Sequence, residues 1–387
     1  MNTKMLTGEV RQRVRADLES PAPLRRPGTG WLSGVAALAL SLAGVFFVLC
    51  LRYPSVLTVP QLRGAYDHPA FRLGLHLLLI AAFGLSVISL VLRANKVLGF
   101  AALTLTLLAT VLGGSRVPAH GGELVSGPFL GLDWFVLNVA FTGILFVPLE
   151  RLFARRPEQH LFRPEWREDL FYYLVSSLLV QVLTFLSMAP AFAILAHTRW
   201  TAFRAFVGAQ PALIQVVEIM FLTDLVQYWV HRAFHRVPFL WNFHAVHHSA
   251  RSMDWMAAAR MHFAEILILR GTTVIPMIVL GFADVAVHAY ILIVYVHSAL
   301  LHANVGWELG RVGRFLATPR FHHWHHGVER EAIDVNFAIH FPLLDRLFGT
   351  YHLPEGRWPQ GYGIEGHPVP RSYWAQFCYP LRRKKAA

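Results

Sequence analysis

The chain has 387 residues, of which 55% are hydrophobic and only 15% are charged. Soluble globular proteins usually carry about 25% charged residues, so this composition excludes an ordinary soluble domain and is typical of a membrane protein. The formal net charge is +12, but no basic stretch is interleaved with aromatic residues, which argues against a nucleic acid partner. The two cysteines are too few for a disulfide scaffold or a cysteine-ligated iron–sulfur cluster.

Long apolar segments follow a polar, arginine-rich beginning at residues 1–30. We place membrane spans at about residues 31–51, 72–92, 97–114, 131–150, 170–196 and 211–230. A longer apolar stretch at about 264–301 contains a turn signal at Gly281-Phe282-Ala283-Asp284. We interpret this stretch as a helical hairpin that enters and leaves the membrane on the same side.

Lysine and arginine residues predict the orientation of these spans. They are concentrated in residues 1–30, 93–96 and 151–168, which all lie inside if the N-terminus is inside. The region after residue 230 then lies in the cytosol, and the hairpin returns the chain to that side. The sequence therefore predicts an all-α, multi-pass helical membrane protein with a histidine-rich cap on the cytosolic face.

Histidine is the unusual residue of this chain, with 21 copies, fifteen of them between His231 and His352. His231 and His235 are four residues apart, so both rings lie on one face of a helix. A second motif, His-x-x-His-His, occurs twice. Its two copies are His244, His247 and His248, and His322, His325 and His326.

These clusters are interpreted as metal ligands, because so many imidazoles would be costly to bury without partners. Imidazole suits zinc, copper, iron and nickel, and eight or more ring nitrogens imply at least two ions. Two redox metals can activate oxygen and zinc cannot, but the residues alone leave the metal open. Isolated histidines such as His68, His120 and His197 are interpreted as ordinary polar residues.

Asp224 is a candidate partner of these ligands. It lies seven residues before His231 and therefore on the same helix face. Metal-bound histidines usually donate their second ring N–H to a carboxylate or a carbonyl, and we predict this role for Asp224.

The spaced motifs resemble the fatty acid hydroxylase/sterol desaturase superfamily. The similar elements are Asp224 to His235, His244 to Ser249, Arg260 with His262 and Glu265, His302 with Asn304, Thr318 to Gly327, Asn336-Phe337 and Asp345 to Tyr351. The likeness covers about residues 131–353, which we predict to be the catalytic domain. We predict a basic cytosolic tail at 1–30, additional transmembrane helices at 31–130 and a basic C-terminal tail at 354–387.

The resemblance implies a cap over a dimetal site, in which two iron ions use O2 to hydroxylate or desaturate a sterol-like or fatty acyl lipid. The ligands that it implies are His231, His235, His244, His247, His248, His302, His322, His325 and His326. Like Asp224, His262 and His297 are candidates to contact the ligands without binding the metal themselves. The spacing of five between His297 and His302 turns the two rings apart on a helix. We place His323, His288, His340 and His352 outside the ligand set.

A separate electron donor is also implied, a ferredoxin, a reductase or a cytochrome, because the chain has no Gly-x-Gly-x-x-Gly loop and no cysteine cluster. The alternative is a non-redox, histidine-rich metal-binding or metal-transport membrane protein. Transport histidines would line the spans, whereas these lie beyond the helix ends. Richness in arginine and alanine favours the bacterial inner membrane, and the Lys384-Lys385 pair fits the alternative of the endoplasmic reticulum.

Overall fold

The computed structural model describes residues 3–18, 20–118, 127–366 and 368–381. Within these ranges the regular structure is helical, with two isolated β-bridges and no strand. Six helices of the described residues are long and apolar enough to cross a membrane, and a bent pair of helices adds a seventh span if it is counted as one. The predicted all-α, multi-pass membrane protein is therefore confirmed. His120 and the Lys384-Lys385 pair lie outside the described residues.

The longer helices are numbered here in chain order. They are α1 (Thr3–Leu18), α2 (Trp31–Arg52), α3 (Pro69–Leu92), α4 (Val97–Val111), α5 (Leu132–Leu152), α6 (Trp166–Leu178), α7 (Val180–Ala196), α8 (Thr201–Ala209), α9 (Ala212–Arg236), α10 (Pro238–His248), α11 (Phe263–Val279), α12 (Asp284–His302), α13 (Pro319–His325), α14 (Pro342–Leu347) and α15 (Tyr373–Phe377). The chain divides into two compact units, Met1–Asn138 and Val139–Ala387.

In the first unit, α2, α3 and α4 pack closely through small residues. Ala37, Ala82 and Ala102 are fully buried, one on each helix. Gly34 is required by this packing, because a Cβ atom there would lie 2.5 Å from the Ser89 hydroxyl oxygen. Small residues let apolar helices approach closely in lipid, where the hydrophobic effect does not hold them together.

Several polar groups of the first unit are paired within it. The Asp133 carboxylate accepts hydrogen bonds from the Tyr66 hydroxyl at 2.6 Å and from the Val59 N–H at 3.1 Å. Arg93 donates from Nε to Asp17 at 3.0 Å, which ties the end of α1 to the link between α3 and α4. These bonds hold the extramembrane turns to the helices.

The second unit is built on α9. Helices α11 and α12 both pack against it, and α7 packs against α11. Their shared core consists of apolar side chains, among them Ala191, Ile219, Met277, Ala286 and Tyr290. Helices α10, α13, α14 and α15, with the loops between them, form a layer that we call the cap. The described residues after 353 belong to it, because Val369 and Tyr373 pack with Ala245 and Val246 of α10.

The hairpin predicted at about 264–301 is present as α11 and α12. The turn between them contains Gly281 at φ +84°, where an added Cβ atom would lie 2.7 Å from Cβ of Arg204. Both arms pack against α9, and in addition α11 packs against α7 and α12 against α13.

The single span predicted at about 170–196 is instead two helices, α6 and α7, which meet at 66° beside Leu179. The two halves have different environments. Helix α6 carries Asp169 and Tyr172 into the cap, where the Tyr172 hydroxyl donates to Gln376 at 2.8 Å. Helix α7 is apolar and packs against α11. The polar residues at the start of the segment lie in the cap, so the segment bends beside Leu179 and does not form one straight span.

Candidate metal centre

Nine histidines converge in the second unit as two adjacent groups, whose ring nitrogens lie within 4.8 Å of one another inside each group. The five-histidine group consists of His231, His235, His244, His248 and His325, and the four-histidine group of His247, His302, His322 and His326. They are the nine residues that the family resemblance implies as ligands. His297, His262 and Asp224 lie outside both groups.

The two His-x-x-His-His motifs contribute to these groups in opposite ways. Helix α10 gives His244 and His248 to the five-histidine group and His247 to the other. The second motif, on α13 and the residue that follows it, gives His322 and His326 to the four-histidine group and His325 to the five-histidine group. Residues four apart share a helix face, whereas adjacent residues point about 100° apart. Each motif therefore supplies ring nitrogens to both groups.

The Nε2 atoms in each group have the spacing that one central ion requires. His231 and His248 place Nε2 at 3.0 and 3.1 Å from Nε2 of His244. In the other group, Nε2 of His302 lies 3.2 Å from that of His247 and 3.1 Å from that of His322. Two nitrogens bound to one ion at about 2.1 Å and at right angles lie about 3.0 Å apart.

The hydrogen bonds on the other side of the rings exclude a purely hydrogen-bonded cluster. Nδ1 of His247 donates to the Arg260 carbonyl at 3.0 Å, and Nδ1 of His302 donates to the Ser298 carbonyl at 2.7 Å. A carbonyl only accepts, so the proton of each neutral ring is on Nδ1 and each Nε2 carries a lone pair. Two lone pairs at 3.2 Å repel unless a cation lies between them. The donor set therefore fits a metal ion.

Burial keeps the cap histidines in the form that binds metal. Removal from water is the main cause that lowers the pKa of His244, His322 and His326 well below the usual range. Repulsion from neighbouring imidazoles is the second cause. Neutral imidazole is the metal-binding form, so these rings do not need to lose a proton to bind an ion at neutral pH.

Two carboxylates support the five-histidine group. Glu265 accepts from Nδ1 of His244 at 2.5 Å, and Asp334 lies 3.4 Å from Nδ1 of His235. The buried Nε2 of His235 has no hydrogen-bond partner. An unpaired ring nitrogen beside four other imidazoles is a further sign that an ion belongs there.

The loop that precedes α14 supplies two further acceptors. Val335 accepts from Nδ1 of His325 at 2.7 Å and Phe337 from Nδ1 of His231 at 2.8 Å. This loop is held by Asp345, which accepts the Phe337 N–H at 2.7 Å. Asn336, at φ +58°, donates its side-chain amide to the Phe321 carbonyl at 2.9 Å. The closing motif of the sequence therefore orients two of the ring nitrogens.

Asp224 does not have the role that its helix position suggests. Its carboxylate accepts backbone N–H groups of Ile339, His340 and Phe341 at 2.8, 3.1 and 2.7 Å. The ring of His231 is bound instead by Phe337 and His244. The expectation was wrong because the loop occupies the space beside Asp224, and a loop with three unpaired N–H groups is a strong partner for a buried carboxylate.

His262 and His297 have local partners of their own. His262 accepts the Ala264 N–H at the start of α11 and donates to the Phe377 carbonyl at 3.0 Å. His297 stacks on His340 with an interplanar angle of 10° and donates from Nε2 to the Ala317 carbonyl at 3.0 Å. His262 therefore caps the start of α11. His297 holds Ala317, the residue before the Thr318 N-cap of α13.

His323 lies on α13 between the ligand candidates but faces away from them. Its Nδ1 is 2.8 Å from the Tyr362 hydroxyl, and its Nε2 donates to the Ala303 carbonyl at 3.1 Å. This histidine ties α13 to the turn that follows α12.

A buried ionic network beside the four-histidine group was not found from the sequence. Arg163 donates to Asp254 at 2.6 Å and also pairs with Asp169, and Arg260 donates from Nε to Asp169 at 2.5 Å and from Nη1 to Glu165 at 3.1 Å. The network fixes Arg260, whose carbonyl holds His247. The only sign of this network in the sequence is the group of charged residues next to an apolar segment. Such a group is also typical of a membrane boundary, so it does not predict ion pairs.

Comparison with known proteins identifies the region that carries this centre. Residues 216–350 match the fatty acid hydroxylase family. An ornithine lipid hydroxylase from Rhizobium tropici is 33% identical over 175 residues, which are 45% of this chain and 52% of that protein. Human alkylglycerol monooxygenase is 30% identical over 174 residues, 44% of this chain and 34% of that protein.

A methylsterol monooxygenase from Arabidopsis thaliana is 30% identical over 138 residues, 35% of this chain and 46% of that protein. The chain thus spans about half the length of the bacterial relative and about a third of the human one. No solved structure matches it.

Proposed function

We propose, from the match of residues 216–350 to the fatty acid hydroxylase family, that the chain is a membrane-bound di-iron oxygenase that hydroxylates or desaturates a lipid. The observation that carries the proposal is the convergence of nine histidines in two groups, with ring nitrogens 3.0–3.2 Å apart and their lone pairs facing one another. The named relatives all oxidise lipids according to their names.

The nine histidines are the proposed ligands, five for one iron and four for the other. When bound, two iron ions supply the reduction of O2 and the oxidation of an unactivated C–H bond, which amino acid side chains cannot perform. Imidazole is a suitable ligand for iron. The outer hydrogen bonds of His231, His244, His247, His302 and His325 fix these rings and raise the basicity of the nitrogen that faces the ion.

Around this centre the residues of the chain provide orientation and exclude water. Glu265 and the carbonyls of Val335, Phe337 and Arg260 hold the rings by their Nδ1 atoms. Eight of the nine histidines are buried. A dry, preorganised site limits side reactions of the oxidant and needs little rearrangement on metal binding.

The membrane helices support a lipid substrate, either sterol-like or fatty acyl. Helices α9 and α12 are candidate spans, and each ends at a histidine cluster, so both connect the apolar layer with the centre. A lipid tail can therefore remain among the helices while the reacting carbon reaches the cap. O2 is the second substrate, and a ferredoxin, a reductase or a cytochrome supplies the electrons.

We place the centre on the cytosolic side of a bacterial inner membrane. The support is the distribution of lysine and arginine around the spans and the richness in arginine. A cytosolic centre is accessible to a soluble electron donor. Labelling of a tag after Ala387 only after cell lysis is the expected result, and labelling of intact cells would contradict this orientation.

The test of the proposed function is the metal content of protein from iron-replete cells, by elemental analysis with Mössbauer spectroscopy. We expect about two irons per chain and a loss of iron and of lipid oxidation in His247→Ala. His68→Ala is the control, because His68 caps α3 in the first unit. Zinc that iron cannot replace, without oxygen uptake, would favour the non-redox metal-binding alternative.

A further inference from the structure

The loop before α14 packs far down the sides of two candidate spans. The Asp224 carboxylate accepts the N–H groups of Ile339 and Phe341 at 2.8 and 2.7 Å, and Asp224 is the middle residue of the 25-residue helix α9. On α12, the Tyr290 hydroxyl lies 3.4 Å from Nε2 of His340. Asp224 and Tyr290 each precede the end of their helix at the metal centre by twelve residues, which is about 18 Å.

A group at that depth lies inside the bilayer. Helix α9 is a candidate span of 25 residues, about 37 Å long, and the hydrocarbon layer is about 30 Å thick. The helix therefore exceeds the layer by about 7 Å. If all of this excess lay at the end that carries the histidines, a group about 18 Å from that end would still be about 10 Å inside the hydrocarbon layer. The loop before α14 therefore lies at the depth of lipid tails.

The backbone of this loop is satisfied in the way that a lipid environment requires. Non-helical backbone at membrane depth must have its polar groups paired within the protein, because lipid tails form no hydrogen bonds. The five consecutive N–H groups of residues 337–341 all donate to two buried carboxylates. Asp345 accepts the first two, and Asp224 accepts the other three. A loop in water needs no such arrangement, because water satisfies its N–H groups.

Helix α14 presents an apolar surface at this depth. Leu343 and Leu347 are 48% and 65% exposed. The ring of Phe348, directly after α14, lies 4.8 Å from the ring of Trp229, an exposed residue of α9. The exposed apolar face of the α9 span therefore continues onto α14. Exposed apolar patches mark contact with a membrane or with a protein partner, and the depth of this one favours the membrane.

The charge of α14 is directed away from this surface, towards the cap. The Arg346 guanidinium lies 4.5 Å from the ring centroid of Tyr351, and Tyr351 packs on Phe321 of α13. Arg346 also donates to the Arg314 carbonyl at 2.9 Å. Arginine near a membrane surface extends its charged end to the headgroup layer and leaves its apolar neighbours among the tails. The arrangement of α14 matches this pattern.

We propose that α14 and the loop before it insert into the acyl layer of the membrane leaflet nearest the metal centre, with Leu343 and Leu347 among the lipid tails. The inference goes beyond the proposed function, because it depends on neither the metal nor the reaction. It connects the centre directly with lipid. Asp345 of α14 holds the N–H of Phe337, whose carbonyl orients a ring of the five-histidine group.

Fluorescence quenching by brominated lipid tails tests the insertion in the full chain. Leu347→Cys, made together with Cys378→Ser to remove the exposed native thiol, is labelled with bimane and placed in phosphatidylcholine nanodiscs. We expect brominated tails to reduce the bimane emission, because bromine quenches on contact, and aqueous iodide to leave the emission unchanged. Leu343→Cys provides a second position on the same helix and should give the same result.

Ile333→Cys is the matched control. Ile333 is 62% exposed, and the neighbouring Asp334 pairs with Arg236 at the end of α9, so iodide should quench this label and brominated tails should not. Quenching of the α14 labels by iodide, or by neither agent, would overturn the proposal, because α14 would then face water or protein. Quenching of all three labels alike by brominated tails would also overturn it. Insertion of α14 in a protein that oxidises no lipid would refute the proposed function alone.

Discussion

The four-histidine group and the His297–His340 pair both place imidazole nitrogens about 3 Å apart, yet their protons are arranged differently. His297 donates from Nε2 to Ala317, so its Nδ1 accepts from His340 at 3.0 Å, and Nε2 of His340 faces the Tyr290 hydroxyl at 3.4 Å. This pair is satisfied by hydrogen bonds. His247 and His302 instead present two lone pairs to each other.

The difference teaches that proximity of histidines does not by itself identify a metal site. The position of the ring protons decides, and the outer acceptor determines that position. A carbonyl on Nδ1 leaves Nε2 free to bind an ion, whereas a second histidine in the correct tautomer completes a hydrogen bond. The following substitutions test this distinction, in order of decreasing effect.

The largest effect should come from two histidines of α12. His302 belongs to the four-histidine group and His297 to the closed pair. His302→Gln should abolish lipid oxidation and reduce the metal content from about two ions per chain to about one. His297→Gln should keep both ions. Elemental analysis checks the comparison, and equal metal loss in the two variants would contradict it.

A smaller effect should follow from the carboxylate on the five-histidine group. Glu265→Gln keeps the size of the side chain but removes the charge that holds His244. Loss of such a partner usually costs 10–100-fold in metal affinity, so a decrease of about that size is expected. Asp224→Asn is the matched control, because Asp224 binds backbone N–H groups instead. Competition with a chelator measures both affinities, and equal weakening would remove the distinction between the two carboxylates.

The smallest effect should appear in the pH dependence of stability. Burial lowers the pKa of His340 from 6.5 to about 3. Below pH 6.5 the unfolded chain therefore binds a proton that the folded protein does not, and stability falls as the pH decreases towards 3. At about pH 5 this residue should cost about 2 kcal/mol.

His340→Asn keeps a donor for His297 but does not titrate, so its melting temperature should fall less steeply with acid than that of the wild type. Thermal unfolding of the metal-free protein from pH 7 to 5 measures the two slopes. Identical slopes would show that His340 does not contribute to acid sensitivity.

Much of the fold could be predicted from the sequence, because a segment that crosses a bilayer must be apolar over a known length. The apolar lengths predicted the spans and the hairpin, and Gly281 marked its turn. The break between α6 and α7 was missed because Asp169 and Tyr172 have partners far along the chain, such as Arg260 and Gln376. Local hydropathy contains no information about such partners.

The sequence by itself indicated that His231 and His235, and the first and last histidines of each His-x-x-His-His motif, can act together, since a spacing of four places two rings on one helix face in any context. Only the tertiary structure decided how the nine divide into five and four, because that depends on where four separate helices meet. It also decided that Glu265 rather than Asp224 contacts a ring, and that carbonyls at Val335 and Phe337 orient two others. A backbone carbonyl is present at every residue, so its role is set by the path of the chain alone.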